Sequence, residues 1–195
     1  LGKADNLTIC VPSGNFGNIT AGLFAQRMGL PIKHFIAANN ANDIFYNYLL
    51  SGIYSPKASI QTIANAMDVG DPSNFARILD LYKSSHAEIC NHISGATYSD
   101  DEIAATMKKC YEKTGYVLDP HGACGYQALK DNLKDGETGV FLETAHPAKF
   151  KEKVDAILST DIEIPTRLAD FMKGKKQSLE MAADFSAFKQ FLLSV

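Results

Sequence analysis

The stretch from Leu7 to Ala38 constrains the fold more than any other part of the chain. Leu7 to Val11 is a short apolar run with β-branched members, closed by Pro12, and it predicts a buried strand. Ser13-Gly14-Asn15-Phe16-Gly17-Asn18 is a loop. Ile19 to Met28 then predicts a helix with Ala21, Leu23, Phe24 and Met28 available for packing, stopped by Gly29 and Pro31. Ile32 to Ala38 predicts a second strand. Strands joined through a helix in this space form a βαβ unit, so they run parallel. The expected class is α/β, with a mostly parallel sheet flanked by helices.

The remainder continues the alternation. Asn39 to Asp43 is a polar loop whose last members are expected to cap a helix from Ile44 to about Leu50, ended by Gly52. Ser55-Pro56 opens a less regular region through Val69. Asp71-Pro72 predicts a helix start, with Asp71 as cap, ahead of the apolar stripe Phe75, Ile78, Leu79 and Tyr82. Ser99 and Glu102 fit a capping box for a helix to about Thr114, stopped by Gly115. Tyr116 to Leu118 and Val140 to Glu143 predict short strands. His121 to Leu133, capped by Asp119, and Pro147 to Leu158 predict helices. From Pro165 the tail is expected to be helical, with Phe185, Phe188, Phe191 and Leu192 on one face.

Composition narrows the function. Of 195 residues, 46% are hydrophobic and 21% charged, which suits a folded chain. Lys+Arg is 19 against Asp+Glu 22, so nucleic acid is an unsuitable main partner. No uninterrupted apolar stretch approaches the ~20 residues of a membrane span, so no membrane partner is expected. The four cysteines, Cys10, Cys90, Cys110 and Cys124, form no C-x-x-C pair. They are expected to be reduced thiols of a cytoplasmic protein, with no metal site. The start, Leu1 to Asn6, has neither an initiator Met nor a signal-peptide pattern, so a fragment is expected.

The loop Ser13 to Asn18 carries the strongest chemical signal. The first turn of a helix has N–H groups without intrahelical partners, and its dipole favours an anion. Glycines let the backbone approach that anion closely. Ser13, Asn15 and Asn18 could add side-chain donors. The plainer reading is a βα turn that needs glycine for its dihedrals. The pattern is neither a P-loop nor G-x-G-x-x-G, which argues against a dinucleotide site.

Longer motifs go further. Val11-Pro12-Ser13-Gly14-Asn15-Phe16-Gly17-Asn18-Ile19-Thr20-Ala21-Gly22, Ser55-Pro56-Lys57-Ala58, Ala64-Asn65-Ala66-Met67-Asp68-Val69 with Pro72-Ser73-Asn74, and Glu143-Thr144-Ala145-His146-Pro147-Ala148-Lys149-Phe150 occur in series. In this order they resemble the C-terminal half of threonine synthases of the microbial and fungal type. The resemblance implies a tryptophan-synthase-like fold and pyridoxal 5′-phosphate (PLP) as cofactor. It implies that residues 1–195 are the C-terminal part of an enzyme converting O-phospho-L-homoserine and water to L-threonine and phosphate.

On that resemblance Ser13, Gly14, Asn15, Phe16, Gly17 and Asn18 cradle the cofactor phosphate, and the Thr144 hydroxyl faces the pyridine nitrogen. Without it, Thr144 reads as a cap for the following helix. Asn65, Asp68, His121, His146 and Lys149 are candidates for the substrate pocket, with Asn74 and Arg77 in the same motif-rich middle. The plainer readings are that His146 shapes a turn and Lys149 is solvated. The family's cofactor-linking lysine belongs to its N-terminal half, so no catalytic residue is expected here, and the context of Lys130 does not match it. The missing half would be this chain's partner. The competing readings are another PLP-dependent lyase or dehydratase of the same fold, or a non-catalytic phosphate-binding module.

Overall fold

The computed structural model describes residues 6–194. Strand β1 (Leu7–Pro12) pairs in parallel with β2 (His34–Asn39), placing Ile9 opposite Phe35 and Val11 opposite Ala37. Helix α1 (Gly17–Arg27) makes the crossover. Strand β3 (Ile93–Thr97) adds to β2, and β4 (Thr138–Phe141) adds to the other edge of β1, both parallel. The order is therefore β3-β2-β1-β4. Between β2 and β3 lie α2 (Ile44–Ser51), α3 (Phe75–Leu81) and α4 (His86–His92). Between β3 and β4 lie α5 (Asp100–Thr114) and α6 (Pro120–Asn132), and α7 (Lys151–Leu158) follows β4.

Side chains alternate across a strand, so one sheet feeds two cores. Val11, Phe35 and Ala37 join Ile19, Leu23, Phe45, Tyr48, Phe75 and Ile78 from α1, α2 and α3. Cys10, Ile36 and Ala38 join Ile103, Met107, Ala123, Cys124, Ala128 and Val154 from α5, α6 and α7. Burial on both faces is what a parallel sheet requires. All four cysteines are free thiols, and Cys10, Cys110 and Cys124 are buried.

The chain divides into two compact units, one reaching Ile162 and the other starting at Glu163. The second unit holds α8 (Thr166–Met172) and α9 (Phe185–Ser194). Phe185, Phe188 and Leu192 of α9 are exposed within it.

Several expectations need correction. The sequence reading missed α4 and β3, because Ile-Ser-Gly-Ala-Thr is too weakly apolar to announce a strand. It becomes one by pairing with β2. Tyr116 to Leu118 is not a strand. It is too short for a ladder between the left-handed Gly115 (φ 73°) and the helix cap Asp119, and Leu118 serves as a buried plug. Strand β4 ends at Phe141, since Thr138 and Gly139 already pair with Leu7 and Thr8, so Leu142 and Glu143 lie beyond it. Helix α3 starts at Phe75, not after Asp71, because Ser73 and Asn74 bond elsewhere and Asp71 accepts from the Tyr54 hydroxyl at 2.7 Å. Asp43 makes no side-chain cap, and its carboxylate holds Lys57 Nζ at 2.7 Å. The expected helix from Pro147 divides into a 3₁₀ turn, Pro147–Phe150, and α7.

The region around Val69 closes by a backbone contact that only glycine allows. A Cβ on Gly70 would lie 1.8 Å from the Lys57 carbonyl oxygen and 2.9 Å from Ser59 N. Lys57 N–H also donates to Gly70 O at 3.1 Å. Neither backbone can retreat without breaking that bond. Gly70→Ala is therefore expected to destabilise the protein by about 3 kcal/mol, read as a lowered urea midpoint. An unchanged midpoint would disprove the contact.

Candidate functional site at the end of the sheet

The strand order locates the site. From β1 the chain steps outward through β2 to β3, whereas β4 lies on the opposite side of β1. The carboxyl ends of β1 and β4 thus flank the point where the order reverses, where open α/β sheets receive ligands. Leu142 N–H still donates to Cys10 O at 3.0 Å. The loop starting at Ser13 and the one carrying Thr144 therefore leave the sheet from adjacent strands.

The first loop is held by its own polar groups. Ser13 N–H donates to Ala38 O at 2.9 Å, and its hydroxyl donates to Val11 O at 2.9 Å. Ser13 O accepts from the Asn39 side chain at 2.9 Å. Asn18 Nδ2 donates to Pro12 O at 2.9 Å, and its Oδ1 accepts from Ile19 N–H at 2.9 Å. Asn15 Oδ1 accepts from Ser73 N–H at 2.7 Å and from the Ser73 hydroxyl at 3.1 Å, while Asn15 O accepts from Asn74 Nδ2 at 2.8 Å. The Ser13 hydroxyl and one of the two Asn18 amide N–H groups are thus used within the chain. Their task is to shape the loop.

Phe16 is the anchor. It stands at the head of α1 with φ 62°, a left-handed backbone that is unusual for a bulky residue. Such a residue persists only where its surroundings over-determine it, and these positions gather at ligand clamps. Its ring is buried and lies 4.5 Å from that of Phe45. Gly14 packs directly on the 3₁₀ turn Asn65–Met67, where an added Cβ would sit 2.7 Å from Met67 Cα.

This leaves the backbone donors. Among the described residues, the N–H groups of Gly14, Asn15, Phe16, Gly17 and Asn18 donate to no protein acceptor. They lie in the loop and at the positive end of the α1 dipole, and this arrangement fits a phosphate group.

The other candidates divide between the two loops. Asn65 is exposed at the start of the turn that Gly14 touches. Asp68 is fully engaged: Oδ1 accepts from Asn40 (2.8 Å), Asn42 (3.2 Å) and the Thr62 hydroxyl (2.7 Å), and Oδ2 from Thr62 N–H (2.9 Å). It holds the segment behind the loop in place. His121 is buried and accepts from Ala66 N–H at 3.1 Å. Thr144 is exposed just past β4. The helix cap considered for Thr144 is supplied by His146, whose Nδ1 accepts from Ala148 N–H at 3.1 Å. Lys149 is exposed, with Nζ 5.4 Å from the Phe150 ring centre. Arg77 reaches Asn74 Oδ1 at 3.2 Å, on the outer side of the Asn15 clamp.

Three residues escaped the sequence reading. Asn39 and Ser73 position the loop, and Glu143 lies behind Thr144. The paired asparagines at the end of β2 were the only local signal for the first. A cavity of about 440 Å³ opens at the amino ends of the strands, beside Lys33, His34, Ser94 and Glu137. Among the described residues no three His, Cys, Asp or Glu gather to hold a metal ion, and no helix is long and apolar enough to cross a membrane.

Comparison with known proteins is consistent with this geometry. The family described as pyridoxal-phosphate dependent enzyme matches residues 2–144, and the one described as threonine synthase, C-terminal, matches residues 122–192. Threonine synthase of Haemophilus influenzae is 48% identical over 191 residues, covering 98% of this chain and 44% of that protein. The Escherichia coli threonine synthase is 43% identical over 190 residues, 97% of this chain and 44% of that protein. The crystal structure of the latter superposes with a TM-score of 0.84 at 42% identity, over 98% of this chain and 44% of that one. A PLP-bound threonine synthase from Brucella melitensis gives 0.85 at 32% identity, over 98% and 46%. The chain spans a little under half the length of the relatives it matches.

Proposed function

The chain belongs to the family of pyridoxal-phosphate-dependent enzymes, and from that premise we propose that residues 1–195 are the C-terminal part of a cytoplasmic threonine synthase. The whole enzyme would convert O-phospho-L-homoserine and water to L-threonine and phosphate. The observation that carries the reading is the row of unpartnered N–H groups from Gly14 to Asn18 at the head of α1. The identity to threonine synthases along nearly the whole chain supports it, and the free cysteines favour a reducing compartment.

In this reading the loop Ser13 to Asn18 holds the cofactor phosphate through its backbone. Thr144 supplies a hydroxyl to the pyridine nitrogen from the neighbouring strand end. A hydroxyl is neutral, so it orients the ring without fixing a positive charge on that nitrogen. PLP, when bound, takes up the electron pair left on the substrate carbon as its proton departs. His146 and Lys149 flank Thr144 and are offered as pocket residues, as is Asn65 beside the phosphate loop. Asp68 and His121 act by holding that loop's support. The lysine that links the cofactor would come from a preceding segment, in keeping with the span of 44% of the relatives.

The test is a chimaera in which this chain replaces the matching segment of the Escherichia coli enzyme. PLP-dependent release of phosphate with formation of threonine is expected. A folded, PLP-loaded chimaera that instead deaminates serine or threonine would favour a dehydratase. One that takes up no PLP would favour a simple phosphate-binding module.

A further inference from the structure

The two loops of the site are joined through a buried pair of carboxyl groups. Asp119 caps α6: its Oδ1 accepts from His121 N–H at 2.8 Å and from His121 Nδ1 at 2.6 Å. Asp119 N–H donates to Glu143 Oε1 at 3.1 Å. Asp119 is 0% exposed and His121 2%. Glu143 immediately precedes Thr144, and its carboxyl occupies the space over Gly122, where a Cβ would lie within 2.3 Å of Oε2. Asp119 Oδ2 and Glu143 Oε2 are both buried, and neither has a partner among the described residues. The Asp119 N–H bond to Glu143 Oε1 holds the two residues against each other, and each keeps one buried oxygen to spare. Two carboxylates only repel, whereas a carboxyl and a carboxylate bond through one proton.

The other end of this arrangement reaches the phosphate loop. His121 donates from Nδ1 and accepts Ala66 N–H at Nε2, so its ring is neutral. Ala66 lies in the turn on which Gly14 packs. We propose that Glu143 and Asp119 share a single proton and, with His121, form a positioning relay that fixes the Thr144 loop relative to the Ser13 to Asn18 loop. The relay rests on reading those loops as the two ends of one cofactor site. The proton is the element that holds them together: without it the carboxylates push apart at the base of the loop that carries Thr144.

The electrostatics agree with the geometry. Burial and the neighbouring Asp119 push the Glu143 carboxyl up to about 8. Burial alone would raise Asp119, but its hydrogen bonds from His121 and Glu143 outweigh that and hold it below the usual carboxylate range. The groups facing the pair are His121 on α6 and Tyr116 ahead of it, whose phenol is raised by burial and by both carboxyls. No lysine or arginine contributes among the described residues. Between 4.5, the ordinary glutamate value, and about 8 the folded protein holds a proton that the unfolded chain has lost. The stabilisation from Glu143 is therefore complete below 4.5 and falls as pH rises through 8.

The experiment uses the complete polypeptide that carries this chain, with ¹³C-labelled Glu and Asp side chains. One carboxyl signal should stay protonated at pH 7, titrate near 8, and vanish in Glu143→Gln. Glutamine offers an N–H to Asp119 at every pH. So thermal midpoint and PLP affinity, measured from pH 6 to 9 relative to wild type, should be rescued by Glu143→Gln above pH 8. Glu143→Leu should bind PLP at least tenfold more weakly throughout. An ordinary carboxyl titration, or a Glu143→Gln profile parallel to wild type, overturns the relay. A wild type that binds no PLP at any pH overturns the site reading instead, and the carboxyl titration still decides the shared proton.

Discussion

Assayed alone with saturating PLP, this chain is expected to form no threonine from O-phospho-L-homoserine above the uncatalysed rate. None of its candidate lysines is disposed to link the cofactor. Lys57 is tied to Asp43 at 2.7 Å. Lys130 is exposed on α6, with Nζ 5.4 Å from the Tyr126 ring centre. Lys149 is exposed beside Phe150. Lacking a placed base for the α-proton forfeits ~10²–10⁴-fold in rate. Lacking the groups that orient the substrate carboxylate, which the resemblance assigns to the other half, forfeits up to ~7–11 kcal/mol more. The chain would retain only weak phosphate affinity through Gly14 to Asn18. The control is a complete polypeptide with this chain at its C-terminal end. Turnover by the chain alone within tenfold of that control would mean that one of Lys57, Lys130 or Lys149 does link the cofactor, and a Lys→Arg change at each would identify it.

The parts of this molecule that were legible in the sequence are the parts decided locally. A strand run, a glycine loop and a helix in succession have few alternatives, so the βαβ unit and the loop at the head of α1 could be read from the residues. The capping box at Ser99 and the Asp119 cap were legible for the same reason: donor and acceptor lie within one helical turn. What stayed hidden depends on distant partners. Asn15 reads as a free loop side chain until Ser73, 58 residues on, is found donating to its side-chain oxygen. Thr144 reads as the cap of the following helix, and only the turn geometry gives that task to His146, two residues on. Glu143 reads as the polar end of a strand. Its importance appears only when Asp119, 24 residues earlier, is found against it. Strand β3 is a strand because β2 offers an edge, and the composition of Ile93–Thr97 could not foretell that.

The two glycines of the loop Ser13 to Asn18 look interchangeable in the sequence, yet they are expected to respond oppositely to alanine. At Gly14 a Cβ would meet backbone, with Met67 Cα at 2.7 Å and the Ala66 carbonyl oxygen at 3.0 Å. Backbone held in a 3₁₀ turn cannot swing aside as a flexible side chain can, so the loop must lift from its support and re-aim its N–H groups. A hydrogen bond to a charged group contributes ~1.5–3 kcal/mol. Losing two of them would weaken PLP binding by ~10²–10⁴-fold. At Gly17 the nearest atom is Asn74 Nδ2 at 3.6 Å, an ordinary contact, and the backbone is not left-handed. Alanine is the better helix former by about 1 kcal/mol, so Gly17→Ala should leave PLP affinity within threefold and thermal stability unchanged or slightly higher. Fluorescence titration of PLP into the complete polypeptide, with thermal melts of both variants, makes the comparison. If Gly14→Ala binds PLP as wild type does, the turn at Met67 does not shape the cradle. If Gly17→Ala fails as badly as Gly14→Ala, the phosphate approaches from the helix side, closer to Gly17 Cα than the backbone donors require.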